Sequence, residues 1–340
     1  MELLLSNYQP AKFTTNRTTQ KVWLENVSKA EQVRIATGFI SSASLIELKK
    51  MVEVNEKPNI EMLIGMHYFD GFTKQQYDCA LALNKTLREQ NRGAVYLSNA
   101  MRFHGKLYSF NDTKQCFGAV VGSSNLNSLF SAYKIYEADC FFEGENAKTI
   151  DKSIQNLFGK LGKIITDLQI DNFIQNNDLL ENHYGVNKVP PEELTKIWTT
   201  KTDVFFDIPM KAEAKSNLNC FFGKGRVNQR GFEIPRPWYE VEIIVPVSIT
   251  RLPNYPANRT FDVVTNDGWR FSCETNGQNS KNLRSEKDLT ILGKWIKGKL
   301  EQSGALTMAT PVTENVLSQY GRNTMKLSAT ADPDLWLIEF

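Results

Sequence analysis

A chain of 340 residues with ordinary apolar and charged fractions can bury a sizeable core, and its length favours two domains. A net charge of +2 supplies no whole-molecule field toward a polyanion, so any nucleic-acid contact must come from local patches. Five widely spaced cysteines (Cys79, Cys116, Cys140, Cys220 and Cys273), with no CxxC pair, argue against a disulfide framework or a zinc site and read as the reduced thiols of a cytoplasmic protein.

In chain order, the opening MELLLSNYQPAK has neither the basic region nor the apolar length of a signal peptide. No later apolar run approaches the ~20 residues that span a bilayer. Residues 18–30 read as a helix with Val22, Trp23, Val27 and Ala30 on one face. Residues 32–40 form a strand, and Ser42 caps a helix carrying Leu45, Ile46 and Leu48. A strand at 60–68, a helix at 73–92 and a strand at 93–98 follow. Strands alternating with helices predict an α/β layer fold with a mainly parallel sheet. The pattern then changes. Residues 105–110 and 116–121 are apolar-rich strands joined by Asn111-Asp112-Thr113-Lys114, a turn composition. A strand at 136–143 precedes an amphipathic helix at 146–167, where Ile150, Ile154, Leu157, Leu161 and Ile165 repeat at helical spacing. A polar, Asn-rich stretch ending in Val189-Pro190-Pro191 marks the boundary: one domain over 1–175, a linker over 176–195 and a second domain over 196–340.

The second domain reads as mostly β. Residues 239–245 form a strand, and strands at 261–265 and 269–273 flank Asn266-Asp267-Gly268, a strong hairpin signal. A helix over 288–300 and short strands ending in LWLIEF complete a small barrel or sandwich.

The chemistry concentrates in residues 102–137. His104 is one of three histidines, and Lys106 lies two places on, so an extended backbone projects both from one face. A histidine beside a fixed cation suits phosphoryl chemistry. Gly122-Ser123-Ser124-Asn125 follows the hairpin, and Glu137 stands about a dozen residues beyond Asn125. Either short pattern alone is an ordinary strand or turn. Together, His-x-Lys followed by Gly-Ser-x-Asn resembles the motif of the phospholipase D superfamily, carried here by His104, Lys106, Gly122, Ser123 and Asn125. The superfamily's aspartate five residues after the lysine is absent; Asn111 occupies that position and Asp112 follows.

The resemblance implies a catalytic set of His104, Lys106, Ser123, Asn125 and Glu137. An imidazole attacks phosphorus to give a phosphohistidine, and a second imidazole protonates the leaving alkoxide. Lys106, Ser123 and Asn125 donate to the non-bridging oxygens, where charge builds. Glu137 accepts the other ring N–H of the histidine. No metal or other cofactor is required. Since His67 and His183 lack the motif, reading as a strand-end and a linker residue, the resemblance implies a homodimer with His104 of each copy facing the other. Metal-nuclease and nucleotide-loop readings fail. Glu47-Leu48-Lys49 has no acidic partner on a preceding strand, Pro333-Asp334 has nothing downstream, and the GxxxxGK spacing over 293–299 lacks a following Ser/Thr inside an apolar helix.

Substrate choice points to residues beyond 200. Lys215, Lys224, Arg226, Arg230 and Arg236 cluster around Asn228 and Gln229, with Phe221, Phe222 and Phe232 interleaved, a mixture suited to phosphates and base edges. Arg270, Lys281 and Arg284 form a second basic stretch, and the lysines at 294, 297 and 299 read as an exposed helix face. A phospholipase D-like domain followed by a β-rich reader resembles the metal-independent restriction endonucleases of the BfiI and NgoFVII type. That resemblance implies an α/β phospholipase D-like domain, with a mixed sheet flanked by helices, joined to a mostly-β, B3-like pseudobarrel that grips the major groove with two arms. Lys224, Arg226, Asn228, Gln229, Arg230 and Arg236 belong to one candidate arm, and Arg270, Lys281 and Arg284 to the other. It further implies double-stranded DNA as substrate, a cognate cytosine methyltransferase, and in some relatives a helicase-like ATPase subunit. The alternatives are a non-specific phospholipase D-like nuclease, a phospholipid-processing phosphodiesterase, disfavoured by the absence of a membrane segment, and a non-catalytic DNA-binding subunit, disfavoured by the complete motif.

Overall fold

The computed structural model describes residues 1–12, 16–174 and 179–340. The chain folds as two units, Met1–Asn176 with Arg226–Pro235, and Asn177–Gly225 with Arg236–Phe340. Among the described residues no helix is long and apolar enough to cross a membrane.

The first unit is built on strands β1 (Glu2–Leu5), β2 (Gln32–Thr37), β3 (Asn59–Ile64), β4 (Gly93–Ser98), β5 (Lys106–Asn111), β6 (Cys116–Gly122), β7 (Ala138–Phe142) and β8 (Gly162–Ile164). They form one sheet in the order β1-β7-β6-β5-β2-β3-β4-β8. The sheet is mixed. Only the β2–β3 and β3–β4 ladders are parallel, so the alternation of strands and helices overstated the parallel share. The helices are α1 (Thr19–Val27), α2 (Ser42–Val54), α3 (His67–Asp70), α4 (Lys74–Glu89) and α5 (Gly144–Leu161). Side chains fix where they begin: Thr18 caps α1, and the pairs Ser41/Ser44 and Thr73/Gln76 form capping boxes for α2 and α4. On α1, Trp23 is buried against the rings of Tyr108 and Phe110. On α5, Ile154 packs with Ala36 and Leu63. Residues of alternate parity on β5 therefore meet different helices.

Three expected boundaries move. Strand β2 stops at Thr37 and β3 at Ile64, because residues 38–41 and 65–66 bend away to build the site below. The helix expected over 146–167 ends at Leu161. Gly162 is extended, and β8 completes the sheet by pairing Ile164 with Tyr96.

The second unit contains β9 (Asn187–Lys188), α6 (Pro191–Thr199) and β10 (Lys201–Pro209). The hairpin β11 (Arg226–Val227) and β12 (Glu233–Ile234) interrupts it and belongs to the first unit, where the Asn55 amide pairs with both backbone groups of Glu233 at 2.8 Å. The unit resumes with β13 (Ile243–Ile244), α7 (Val247–Thr250), β14 (Thr260–Thr265), β15 (Trp269–Asn276), β16 (Asn282–Ser285), α8 (Ile291–Gln302), α9 (Glu314–Tyr320), β17 (Thr324–Thr330) and β18 (Leu335–Glu339). Its mostly-β sheet runs β10-β17-β18-β14-β15-β16-β13 and curls as a half-barrel. Gly268, at φ +84°, makes the tight turn between β14 and β15 that Asp-Gly announces. The strand expected over 239–245 reduces to Ile243–Ile244. Upstream, Val241 N–H donates to Leu289 O and Glu242 N–H to Asn217 O instead of joining a ladder. Residues 179–195, expected as linker, instead pack into this unit: His183 and Val186 are buried, and Val189 joins Val264, Leu335 and Leu337 beneath Leu194, Ile197 and Trp198 of α6. The lysines expected on an exposed face of α8 include Lys294 and Lys297, which are buried.

Candidate active site

Strand register brings the motif together at one end of the first sheet. Antiparallel pairing sets Lys106, the first residue of β5, beside Thr37, the last of β2, and Gly122, the last of β6, beside Asp139 of β7. The approach to His104 is backbone against backbone. Phe103 N–H donates to Gly65 O at 3.0 Å, and a Cβ on Gly65 would lie 1.9 Å from Phe103 O. Gly105 leaves room for the Phe103 ring, whose edge a Cβ there would meet at 2.5 Å. His104 is left exposed, edge-on to the Phe39 ring at 5.7 Å between centroids.

Lys106 is only 6% exposed, with Nζ 3.1 Å from His104 Nε2 and 2.7 Å from the carbonyl oxygen of His104. An ammonium can only donate, so this contact calls on the lone pair of the ring at Nε2. Burial pushes the Lys106 pKa down, and the nearby Glu137 carboxylate partly opposes that shift.

The Gly122–Asn125 turn supplies the other polar groups. Asn125 Oδ1 accepts from Phe39 N–H at 3.0 Å, which fixes the amide and leaves Nδ2 without a partner among the described residues. Ser123 Oγ donates to Glu137 Oε2 at 2.5 Å, and Ser128 Oγ donates to Oε1 at 3.1 Å. Glu137 was expected to hold the His104 ring. Within one chain its carboxylate is instead taken by the two serines.

The other histidines are occupied elsewhere. His67 is buried in α3, with Nδ1 2.8 Å from Gly71 O and Nε2 accepting from Ile40 N–H at 3.2 Å. Both nitrogens serve the backbone, and burial lowers the pKa, so the ring is a neutral Nδ1–H tautomer. His183 is fully buried in the second unit, with Nδ1 2.8 Å from Tyr184 O and Nε2 3.4 Å from Asp288 Oδ2. Burial alone would raise the Asp288 pKa, but the bond with His183 holds that carboxyl well below its usual range.

Asn111 closes β5 at its far end. Its Nδ2 donates to Asp151 Oδ1 of α5 at 3.2 Å, beside Ser109 Oγ at 2.6 Å and Arg34 Nη1 at 2.8 Å. A carboxylate does stand near the position where the superfamily's strand carries one, but a helix supplies it. Neither Asp151 nor Asp139 was found by sequence reasoning. The signal for Asp139 was its place two residues after Glu137, at the start of β7.

The candidate DNA-binding residues divide by their surroundings. Arg236 is paired with Glu240 at 3.1 Å, Arg270 with Asp262 at 2.8 Å, and Arg284 with Glu274 at 2.8 Å. Lys224, Arg226, Arg230 and Lys281 have no acidic partner among the described residues. Asn228 spends its side-chain oxygen on the hairpin turn, accepting from Arg230 N–H at 2.9 Å and Phe232 N–H at 3.1 Å. With Gln229 and Arg230 it lines an open cleft of about 550 Å³ in the first unit, beside Lys21 and Lys29 of the α1 region.

Family models match both halves of the chain. The NgoFVII restriction endonuclease N-terminal PLD domain matches residues 17–168, and the NgoFVII C-terminal B3-like DNA-binding domain matches residues 196–331. Among solved structures, the chain is similar to Nuc from Salmonella typhimurium, a phospholipase D family member. Identity there is 13%, over 48% of this chain and 95% of that one, with a TM-score of 0.33. NucT from Helicobacter pylori is similar at 16% identity, over 47% of this chain and 98% of that one, with a TM-score of 0.29. No curated protein matches the chain significantly.

Proposed function

The chain belongs to the NgoFVII restriction endonuclease family, as a phosphodiester hydrolase with a DNA-binding domain, and we propose that it cuts specific duplex DNA without metal through a phosphohistidine on His104. One observation carries the reading. Of the three histidines, only His104 is exposed, with an ammonium donating to its ring nitrogen. When a phosphodiester enters, Lys106 transfers its hydrogen bond from Nε2 to a non-bridging oxygen, which frees the lone pair for attack. The Nε2–P bond forms as the P–O bond to the leaving strand breaks. Asn125 Nδ2 adds a donor where the charge grows, and Ser123 Oγ adds a second by turning its one proton from Glu137 to the phosphate oxygen. Water then attacks phosphorus and gives its proton to the imidazole that protonated the leaving strand, the P–N bond breaks, and the phosphate leaves on the other strand end.

The leaving oxygen needs a proton, and no second histidine of one chain can give it. His67 is neutral with both nitrogens engaged, and His183 is sealed in the second unit. A second copy therefore contributes its own His104, protonated, as the acid in a composite site. Glu137, held by Ser123 and Ser128, keeps a carboxylate near the cationic groups of that site. Lys224, Arg226, Arg230 and Lys281 are the first candidates for phosphate contact. Arg236, Arg270 and Arg284 must exchange their acidic partners to reach DNA.

Digestion of plasmid in excess EDTA tests the reading. Discrete fragments are expected, and they should vanish in His104→Ala with DNA binding retained. A strict requirement for magnesium would overturn the mechanism, and a smear would favour the non-specific nuclease. A monomer both free and on DNA would remove the composite site.

A further inference from the structure

The Gly-Ser-x-Asn turn rests on a carboxylate that its motif does not contain. Asp139 lies on β7, is 2% exposed, and makes no ion pair among the described residues. Its Oδ1 accepts from Ser124 N–H at 3.0 Å, while Oδ2 accepts from Ser124 Oγ at 2.6 Å and from Thr19 Oγ1 at 2.5 Å. A buried carboxylate must have its lone pairs met, and here three neutral donors meet them, two from one residue of the turn.

The geometry explains the motif's glycine. Gly122 is the ladder partner of Asp139, and a Cβ on Gly122 would lie 2.0 Å from Asp139 Oδ1. The carboxylate occupies the space a side chain would need. With Ser124 drawn inward by two bonds, its neighbours face the other way. Ser123 is exposed toward Glu137, and Asn125 is set for its oxygen to meet Phe39 N–H. Thr19, at the start of α1, ties the same carboxylate to the helix layer.

We infer that Asp139 is a positioning residue for phosphodiester cleavage: through Ser124 it sets the two donors, Ser123 and Asn125, that receive the phosphate oxygens. The inference rests on the function proposed above. Its signature is a loss in the chemical step without a loss in DNA binding, because the donors matter most where transition-state charge develops.

Single-turnover cleavage at saturating enzyme, with DNA affinity measured in parallel, tests it. Asp139→Ala should slow the chemical step about 10²-fold, the scale of a small misplacement at a reacting centre, with affinity unchanged. Asp139→Asn should recover most of the rate, since its amide oxygen still accepts from Ser124 N–H. A folded Asp139→Ala that cleaves at the wild-type rate, or loses affinity and rate together, overturns the inference. Should Asp139→Ala fail to fold, the Thr19→Val/Ser124→Ala double variant keeps only the backbone bond. A slower step with unchanged affinity is expected there, and the wild-type rate again overturns it. His104→Ala separates the two levels: cleavage surviving in that variant removes the proposed function itself, whereas loss in His104→Ala alone removes only the role of Asp139.

Discussion

Strand β5 carries polar side chains at both ends, and the two ends are opposites. At the Asn111 end, Asp151 takes donors from Ser109, Asn111, Arg34 and Gln155, while Arg34 also meets Glu61. Hydrogen bonds from Ser109 and Arg34 outweigh the burial that would raise the Asp151 pKa, and the carboxyl is held below its usual value. At the Lys106 end, five residues away, His104 is exposed and Asn125 Nδ2 has no partner among the described residues. Polar groups with all their bonds made hold a sheet together; polar groups with bonds to spare can serve a substrate.

Substitutions at the two ends should therefore fail differently. The largest effect is expected from His104→Ala: cleavage falls about 10⁴-fold or more, as for removal of a nucleophile, with thermal unfolding unchanged. Asp151→Ala should do the reverse. It leaves the half-buried Arg34 with Glu61 as its remaining acidic partner, so denaturant unfolding should show a loss of about 2–3 kcal/mol, less than for a fully buried pair, while the single-turnover rate of the folded fraction stays at wild type. A rate loss in Asp151→Ala, measured well below its unfolding midpoint, would mean that the two ends are coupled and the contrast drawn here is wrong.

The same contrast marks what was legible in the sequence. His104, Lys106, Ser123 and Asn125 could be read because their spacing is fixed by a hairpin, and register then does the rest. Glu137 was placed at the site, but its partners within one chain, Ser123 and Ser128, were not foreseen, since they follow from the register of β7 against β6. His67 was set aside for lack of the motif, but the reason its ring is unavailable was hidden: its two bonds go to Ile40 and Gly71 backbone atoms, which no side-chain pattern announces. Strand β8 was hidden because Ile165 keeps helical spacing past Gly162, and edge pairing with β4 overrode that local preference. In the second half, alternation suggested strands but could not show that Val241 and Glu242 would leave the ladder for Leu289 and Asn217, nor that Lys297 would point inward.

Lys297 extends the comparison to a second buried lysine. Like Lys106 it is desolvated, but it sits over the Trp238 ring at 4.0 Å and donates to Trp238 O at 2.6 Å, sealed from any substrate. Burial drives its pKa down to about 7, against the opposing pull of Glu301. The unfolded chain keeps that proton until pH is about 10.5, so between about 7 and 10.5 the unfolded state binds more protons and stability rises with pH. Below pH 7 both states hold the proton and the cost of the buried charge is constant. From pH 6.5 to 8.5 the wild type should gain roughly 2 kcal/mol relative to Lys297→Met, at about 1.4 kcal/mol per unit beyond the folded pKa. Pairing each pH with the Met variant is essential, because the buried Cys220 and Cys273 thiols, whose pKa values are pushed up, cost stability at the alkaline end. A difference that is flat across this range would show that Lys297 stays charged under Trp238, held by Glu301 and the ring. In that case the second unit, too, tolerates a buried cation only by saturating it.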